Sequence, residues 1–299
     1  MNVLNRDDMT HRHTVQTQLG RGLHASARTL RRAALVAVIA GAALSAPAQA
    51  ASVPGSACAS PGAMIGTAGD DTIYGTPGPD IICGLGGNDV LIGYQGDDIL
   101  VGGPGDDTLR GARDNDQLFG DDGNDLLFPG PYGGIDDLQG DLGDDTANYN
   151  YVNAITITLD DIANDGELGE TDNVHSDVEN VLGGPGNDTI TGSAFNDNYL
   201  FGGAGDDIIT GGLGDDGLDG GDGNDVIHAA FARAPLLGVD QDTVTCGLGF
   251  DTATVDQLDS YTGCERVTVV RPPHCGPPSR WCPPPLPLAG PAGSAASRS

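Results

Sequence analysis

The sequence predicts an all-β protein, a parallel solenoid made by stacking nine-residue repeats. Three observations predict it. A glycine returns every nine residues from Gly66 to Gly120, an aspartate follows five positions after each, and an aliphatic residue stands two positions after that aspartate.

From Gly66 the chain reads GTAGDDTIY, GTPGPDIIC, GLGGNDVLI, GYQGDDILV, GGPGDDTLR, GARDNDQLF and GDDGNDLLF, seven units without a gap to Phe128. Position four is glycine except at Asp114. Position six is always aspartate: Asp71, Asp80, Asp89, Asp98, Asp107, Asp116 and Asp125. Position eight is always aliphatic, from Ile73 to Leu127. A two-residue slip at Pro131–Tyr132 leads to two weaker units with Asp136/Leu138 and Asp145/Ala147. After an interruption the period restarts at Gly183, with Asp188, Asp197, Asp207, Asp216 and Asp225 at position six. The unit GSAFNDNYLF is one residue too long, and Asp197 is its expected position-six residue. Decayed copies close the series at Asp242/Val244 and Asp251/Ala253.

Each part of the unit has a physical role. A three-residue segment such as Thr108-Leu109-Arg110 is a short strand whose middle residue faces one side. The six residues before it form a turn, where glycines permit positive φ and close backbone approach. Two turns and two strands make one coil of eighteen residues, and successive coils stack as parallel strands about 4.8 Å apart. The position-eight residues then form two facing ladders, a thin core. The position-six aspartates of alternate units come into register along one edge.

Stacked carboxylates repel one another and need a cation between them. Calcium accepts six to eight oxygens, from carboxylates and main-chain carbonyls alike, which a glycine-rich turn exposes. Magnesium demands a strict octahedron and keeps its waters, while zinc favours Cys and His. Asp71, Asp80, Asp89, Asp98, Asp107, Asp116, Asp125, Asp136, Asp145, Asp188, Asp197, Asp207, Asp216 and Asp225 are therefore the expected calcium ligands. Units i and i+2 would give about five sites in the first block and about three in the second. The position-five aspartates Asp70, Asp97 and Asp106 are expected to face solvent.

Composition agrees with a ligand array. Of 299 residues, 48 are glycine and 43 are acidic, and only Glu167, Glu170, Glu179 and Glu265 of the acids are glutamate. All thirteen basic residues are arginine, and the formal net charge is −30. That balance argues against nucleic acid and against anionic membrane surfaces, both of which need clustered Lys/Arg. Low hydrophobicity with high charge also describes a disordered chain, and the metal-free state is expected to be expanded.

These units resemble the hemolysin-type calcium-binding repeat, the RTX nonapeptide G-G-x-G-x-D-x-U-x. The resemblance implies a parallel β-roll, or β-helix solenoid, whose turns bind several Ca²⁺ through the position-six aspartates and turn carbonyls. Proteins of that family often carry a catalytic or toxin domain and leave the cell by a C-terminal signal. Here the expectation is a repeat-only secreted protein.

The segments around the repeats give residues 1–50 as a signal peptide: Arg28, Arg31 and Arg32, an apolar run from Ala33 to Ala46, and a small-residue cleavage site at Ala48–Ala50. Met9 is an alternative start, and Arg31–Arg32 leaves a twin-arginine route open. Without this segment the charge is −34, from 41 acids and 7 arginines. Residues 51–65 form a cap, 66–148 the first block, 149–182 an inserted strand and acidic loop, 183–228 the second block, 229–270 degenerate repeats and a closing cap, and 271–299 a proline-rich tail. Six cysteines in an exported chain suggest disulfides. Fifteen pairings are possible, and proximity favours Cys58–Cys83, Cys246–Cys264 and Cys275–Cys282.

In the insertion, AITITLD alternates as a longer strand. The loop after it offers Asp161, Asp165, Gly166, Leu168 and Asp172 at EF-hand-like offsets, but Ala163 breaks the pattern, and a surface excursion is the simpler expectation. His175 and His228 are expected in solvent. The chain contains no H-E-x-x-H, G-x-S-x-G or P-loop, so no enzyme is expected. The expected partners are calcium ions, outside the cell, with no membrane insertion. The alternative is an extracellular adhesin or surface-interaction module that uses calcium only as a stiffener. An ice-binding face would need a regular threonine ladder, for which Thr72, Thr108, Thr146 and Thr189 are too sparse.

Overall fold

The computed structural model describes residues 54–150, 153–194, 196–229 and 240–270. The expected signal peptide, the proline-rich tail and the Cys275–Cys282 pairing lie outside these residues. The chain folds as a parallel β-solenoid of about 11 turns. A four-residue helical turn, α1 (Pro54–Ala57), precedes it.

Each nonapeptide contributes one short strand, and consecutive strands alternate between two faces. The strands β2 (Thr72–Tyr74), β4 (Val90–Ile92), β6 (Thr108–Arg110), β8 (Leu126–Phe128) and β10 (Thr146–Asn148) pair in parallel and begin a ten-stranded sheet. Opposite them, β1 (Met64–Ile65), β3 (Ile81–Cys83), β5 (Ile99–Val101), β7 (Gln117–Asp122) and β9 (Asp137–Leu142) form most of a six-stranded sheet. The register is what an eighteen-residue coil requires: Ile73 stands beside Leu91, Leu91 beside Leu109 and Leu109 beside Leu127.

The middle residue of each strand points inward because strand side chains alternate between faces. Ile82, Leu91, Leu100, Leu109, Leu118 and Leu127 have no exposed surface and belong to one core cluster that runs the length of the roll. Burying each is worth about 1.5–3 kcal/mol. The core is only two side chains thick, so turn chemistry must supply the remaining order.

The insertion is a surface excursion only in part. Its acidic loop is largely exposed, with residues 160–164 and Leu168 in solvent, while the strands on either side join the sheets of the roll. Here β11 (Ile155–Thr158) pairs with β12 (Gly166–Glu167) on one side and with β15 (Thr189–Thr191) on the other, opening a seven-stranded third sheet. β13 (Asn173–Val174) ends the first sheet, and β14 (Asn180–Leu182) carries the ten-stranded sheet across. Beyond it β16 (Tyr199–Ala204), β18 (Gly217–Asp222), β20 (Thr243–Thr245) and β22 (Ser260–Thr262) complete that sheet. β17 (Ile208–Thr210), β19 (Val226–His228), β21 (Thr252–Val255) and β23 (Arg266–Val269) complete the third.

Strand pairing also corrects the reading of the threonines. On the third sheet Thr158, Thr191, Thr210, His228, Thr254 and Thr268 are successive register partners, one column interrupted once. The column crosses the slips in the repeat, so a scan in steps of nine does not find it.

Disulfides tie both ends, in the expected pairs Cys58–Cys83 and Cys246–Cys264. Cys58, just after α1, packs with Cys83, Val101 and Phe119 on the outer face of the first sheet. Cys246 is fully buried in the main core, and Cys264 packs against it.

Candidate metal centre: an inner ladder of carboxylates

The position-six side chains form a hydrogen-bonded ladder along each sheet. Each Oδ1 accepts the main-chain N–H of the position-six residue one coil earlier. Asp71 N–H donates to Asp89 Oδ1 (2.7 Å), Asp89 to Asp107 (2.7 Å), Asp107 to Asp125 (2.7 Å) and Asp125 to Asp145 (2.8 Å). The first sheet repeats the pattern through Asp80, Asp98, Asp116 and Asp136. The two-residue slip before Asp136 is absorbed in its turn. The third sheet has Asp188, Asp207 and Asp225 in the same relation.

Asp197 is not in a ladder, which corrects the alignment of the long repeat. Asn198 takes the inner place: it is 3 % exposed and donates its N–H to Asp216 Oδ1 at 2.8 Å. Asp197 is exposed and accepts Asp215 N–H in the position-five row. The extra residue in GSAFNDNYLF sits before the aspartate, so counting from the glycine stops one position early.

Sequence reasoning read Asp242 and Asp251 only as decayed copies and missed four other ladder members, Asp172, Glu179, Asp259 and Glu265. Glu179 Oε2 accepts Asp145 N–H, Asp172 Oδ1 accepts Asp136 N–H, and Asp242, Asp251, Asp259 and Glu265 continue the rows beyond the second block. The D-x-aliphatic signature of Asp172-Asn173-Val174 and of Glu179-Asn180-Val181 was the available signal. Without the leading glycines it was not decisive.

The acidic loop has no EF-hand geometry. Asp165 and Asp172 bond each other's main chain, N–H to carbonyl in both directions. Asp165 uses its oxygens on Thr158 and Val174 N–H, and Asp172 Oδ2 accepts the Tyr149 hydroxyl. His175 departs from the solvent expectation: it is half-buried, with Nε2 2.8 Å from Asp137 Oδ1. That pairing, chiefly its hydrogen bond, raises the His175 pKa, and burial opposes it. His228 is exposed.

The second oxygen of the ladder carboxylates is the unusual feature. Oδ2 of Asp89, Asp98, Asp107, Asp116, Asp125, Asp145, Asp207, Asp216, Asp225 and Asp251 is buried with no hydrogen-bond partner. These residues are at most 2 % exposed. An orphaned buried acceptor costs about 1–3 kcal/mol, more when charged. Except at Asp251, whose repeat begins with Cys246, each such oxygen lies against the position-one glycine of its own repeat. A Cβ at Gly84 or Gly102 would collide with Asp89 or Asp107 Oδ2 and crowd the carbonyl of the next coil's position-one glycine. The glycine therefore keeps a cradle open beside carboxylate and carbonyl oxygens.

Burial dominates the electrostatics. It pushes the pKa of Asp107, Asp125, Asp207 and Asp216 up to about 7, and that of Asp116 and Asp145 up to about 8. Neighbouring carboxylates add to the rise, while the N–H donated to Oδ1 opposes it.

A second, outer row provides an internal comparison. The position-five side chains accept the N–H of the next coil's position-five residue: Asn88 from Asp106, Asp70 from Asn88, Asp106 from Asn124 and Asn124 from Asp144. This row alternates Asp and Asn. A neutral amide oxygen serves equally well as a simple acceptor, and alternation halves the charge density. The inner row stays acidic at every place but Asn198, even though repulsion and burial are worse there.

Among the described residues no three His, Cys, Asp or Glu side chains converge on one point. A cation here must take most of its oxygens from the main chain. The donor set, orphaned carboxylate oxygens beside carbonyls with no sulfur or imidazole, fits a hard cation such as calcium.

The family description RTX calcium-binding nonapeptide repeat (4 copies) matches residues 65–100, 92–127, 177–194, 182–198 and 196–227. The chain is an RTX-type β-roll repeat protein. No curated protein matches it. The matched RTX segments take in the orphaned carboxylates Asp89 to Asp125 and Asp207 to Asp225, and Asp145 lies between them. The RTX roll continues past them through Asp242 and Asp251 to the Cys246–Cys264 closure.

Proposed function

We propose that this protein is a secreted calcium-binding repeat protein whose roll folds as several Ca²⁺ enter between its coils. The observation that carries the reading is the contrast between the two rows. The outer row substitutes Asn freely, whereas the inner row has one amide, Asn198, and ten carboxylates whose second oxygen is buried without a partner. A bound calcium ion supplies positive charge and accepts oxygen donors from both carboxylate and carbonyl groups. The chain's part is to hold Oδ1 on the neighbouring coil and Oδ2 in the glycine cradle. Export is supported by the basic-apolar-small pattern of residues 28–50 and by two disulfides in the roll.

In low calcium, the charge of −30 and the thin core leave the chain expanded. At higher calcium, ion binding contributes folding free energy directly, because no site exists before folding. The reading assigns no catalytic step to the chain. Calorimetric calcium titration, with circular dichroism in chelator and in calcium, tests it. At pH 8, multiple equivalents and a strand signal that appears only with calcium are expected. A metal-free protein with the full strand signal at that pH would refute it.

A second reading is favoured by the threonine column. The third sheet bears Thr158, Thr191 and Thr210 on successive strands and, past His228, Thr254 and Thr268, a row of hydroxyls interrupted once. Such a row suits a periodic extracellular surface, with calcium stiffening the roll. Co-sedimentation with ice and with crystalline polysaccharide, for the native chain and for Thr191→Lys/Thr210→Lys, separates this role from calcium binding alone.

A further inference from the structure

Residue two of the repeat occurs in two conformations, and they sort with the carboxylates. Where φ at residue two is positive, at Leu85, Tyr94, Gly103, Ala112, Asp121, Asp141, Gly203, Gly212, Gly221 and Gly247, the Oδ2 four residues later is orphaned. Ten repeats pair in this way, Leu85 with Asp89, Tyr94 with Asp98, and so on to Gly247 with Asp251; the slipped repeat of Asp136 is the exception, because Gly130 stacks on Ala112 with φ 143° and Asp136 Oδ2 is not orphaned. In this open form the N–H of residue two turns away, as Leu85 N–H does to Gly102 O (3.1 Å) and Gly103 N–H to Gly120 O (3.1 Å).

Four repeats take the other form. Thr67 donates its N–H to Asp71 Oδ2 and adds its hydroxyl at 2.8 Å, and Thr76 does the same for Asp80. Gly184 N–H donates to Asp188 Oδ2 at 2.9 Å, and Ser193 N–H to Asn198 Oδ1 at 2.8 Å. None of these four has a positive φ. They are the first two repeats of each block, so closure follows place in the roll, and even a glycine at residue two closes there.

The open form is the costlier one on what the chain alone supplies. It puts Leu85 at φ 82° and Tyr94 at φ 84°, a left-handed backbone that disfavours bulky side chains by about 1–2 kcal/mol per residue. It also leaves a buried carboxylate oxygen without a donor. The closed form avoids both costs. Ten repeats nevertheless adopt the open form, so something outside the chain must offset it. Where closure removes the need for a ligand, the carboxylate itself becomes dispensable: Asn198 is the amide of the inner row, and it lies in a closed repeat.

We propose that the conformation of residue two gates each repeat's cation site. Repeats with a left-handed residue two take calcium, and the closed repeats at Asp71, Asp80, Asp188 and Asn198 do not. The inference rests on the calcium reading above and specifies which carboxylates serve it.

The test compares conservative variants by calcium stoichiometry, read by calorimetry and by metal analysis after desalting. Asp107→Asn and Asp207→Asn are expected to lose at least one equivalent each. Asp71→Asn and Asp80→Asn are expected to keep the native stoichiometry, since one amide oxygen can accept the Thr67 or Thr76 N–H that each carboxylate holds on Oδ2. Asn198→Asp is expected to add no equivalent. Circular dichroism in calcium confirms that each variant is folded. Calcium loss from Asp80→Asn equal to that from Asp107→Asn, or an added ion in Asn198→Asp, overturns the gate. Absence of calcium binding by the native chain instead overturns the proposed function and is distinguishable from either result.

Discussion

Asn198 holds Ser193 N–H on its Oδ1 at 2.8 Å and donates its Nδ2 to Glu179 O at 2.9 Å. Both ends of the amide are satisfied inside the roll. The neighbouring inner carboxylate, Asp216, has an Oδ2 with no partner. The chain thus distinguishes a place where a hydrogen-bonding group suffices from places where a negative oxygen is left over.

That distinction bears first on Asp107. Its Oδ1 accepts Asp89 N–H, and its own N–H donates to Asp125 Oδ1. Asp107→Ala removes an oxygen donor and orphans the buried Asp89 N–H on the preceding coil. We expect loss of more than one calcium equivalent and weaker binding of those remaining. Titration calorimetry reads both, and a loss confined to a single independent ion would contradict bridging between coils.

The raised carboxylate pKa values set a pH dependence for the metal-free chain. Folded values of about 7 for Asp107 and about 8 for Asp116 lie above the ordinary value of 3.8, so the folded state holds more protons than the unfolded one. Metal-free stability is therefore greatest below pH 4 and falls as pH rises through about 8. Calcium-stripped protein, expanded at pH 8, should gain strand signal by circular dichroism as the pH is lowered towards 5. Calcium entry at pH 5, where the stripped roll holds these carboxyls protonated, should release protons, seen as a binding enthalpy that varies with the ionisation enthalpy of the buffer.

Backbone strain gives a stabilising substitution. Ala112 has φ 96° in an open repeat. Ala112→Gly removes left-handed strain at the expense of a more flexible unfolded chain, for a net gain of about 0.5–1 kcal/mol. The denaturation midpoint in saturating calcium should rise, and a fall would show that the side chain makes a contact that outweighs its strain.

The thin core makes single positions matter. Leu109 is fully buried between Leu91 and Leu127. Leu109→Ala should cost about 2–5 kcal/mol, and calcium affinity should fall with it, because ion binding and coil formation are one equilibrium.

The closing disulfide should act through the unfolded state. Cys246–Cys264 spans a separation of 18 residues, and a loop of that length is worth about 3 kcal/mol. Cys246→Ser/Cys264→Ser should lower the unfolding midpoint and increase amide exchange over β20–β23. The first block should keep its calcium equivalents.

Local sequence determined most of the architecture. The glycine at position one, the aspartate at position six and the aliphatic at position eight are read in steps of nine because each acts within its own turn and strand. They yielded the eighteen-residue coil, the facing ladders, two disulfide pairs and the edge of stacked carboxylates. Tertiary structure alone decided what depends on a residue in another coil. Asp172, Glu179, Asp259 and Glu265 join the ladders through N–H groups 14 to 36 residues away in the chain. The threonine column likewise forms only once the slips are closed by strand pairing. Whether a carboxylate is open or satisfied was not legible at all, because Gly184 closes its repeat and Gly203 opens the next on that sheet with the same residue type. That choice is made by what is stacked on the coil, and stacking is a relation between distant segments that no nine-residue window contains.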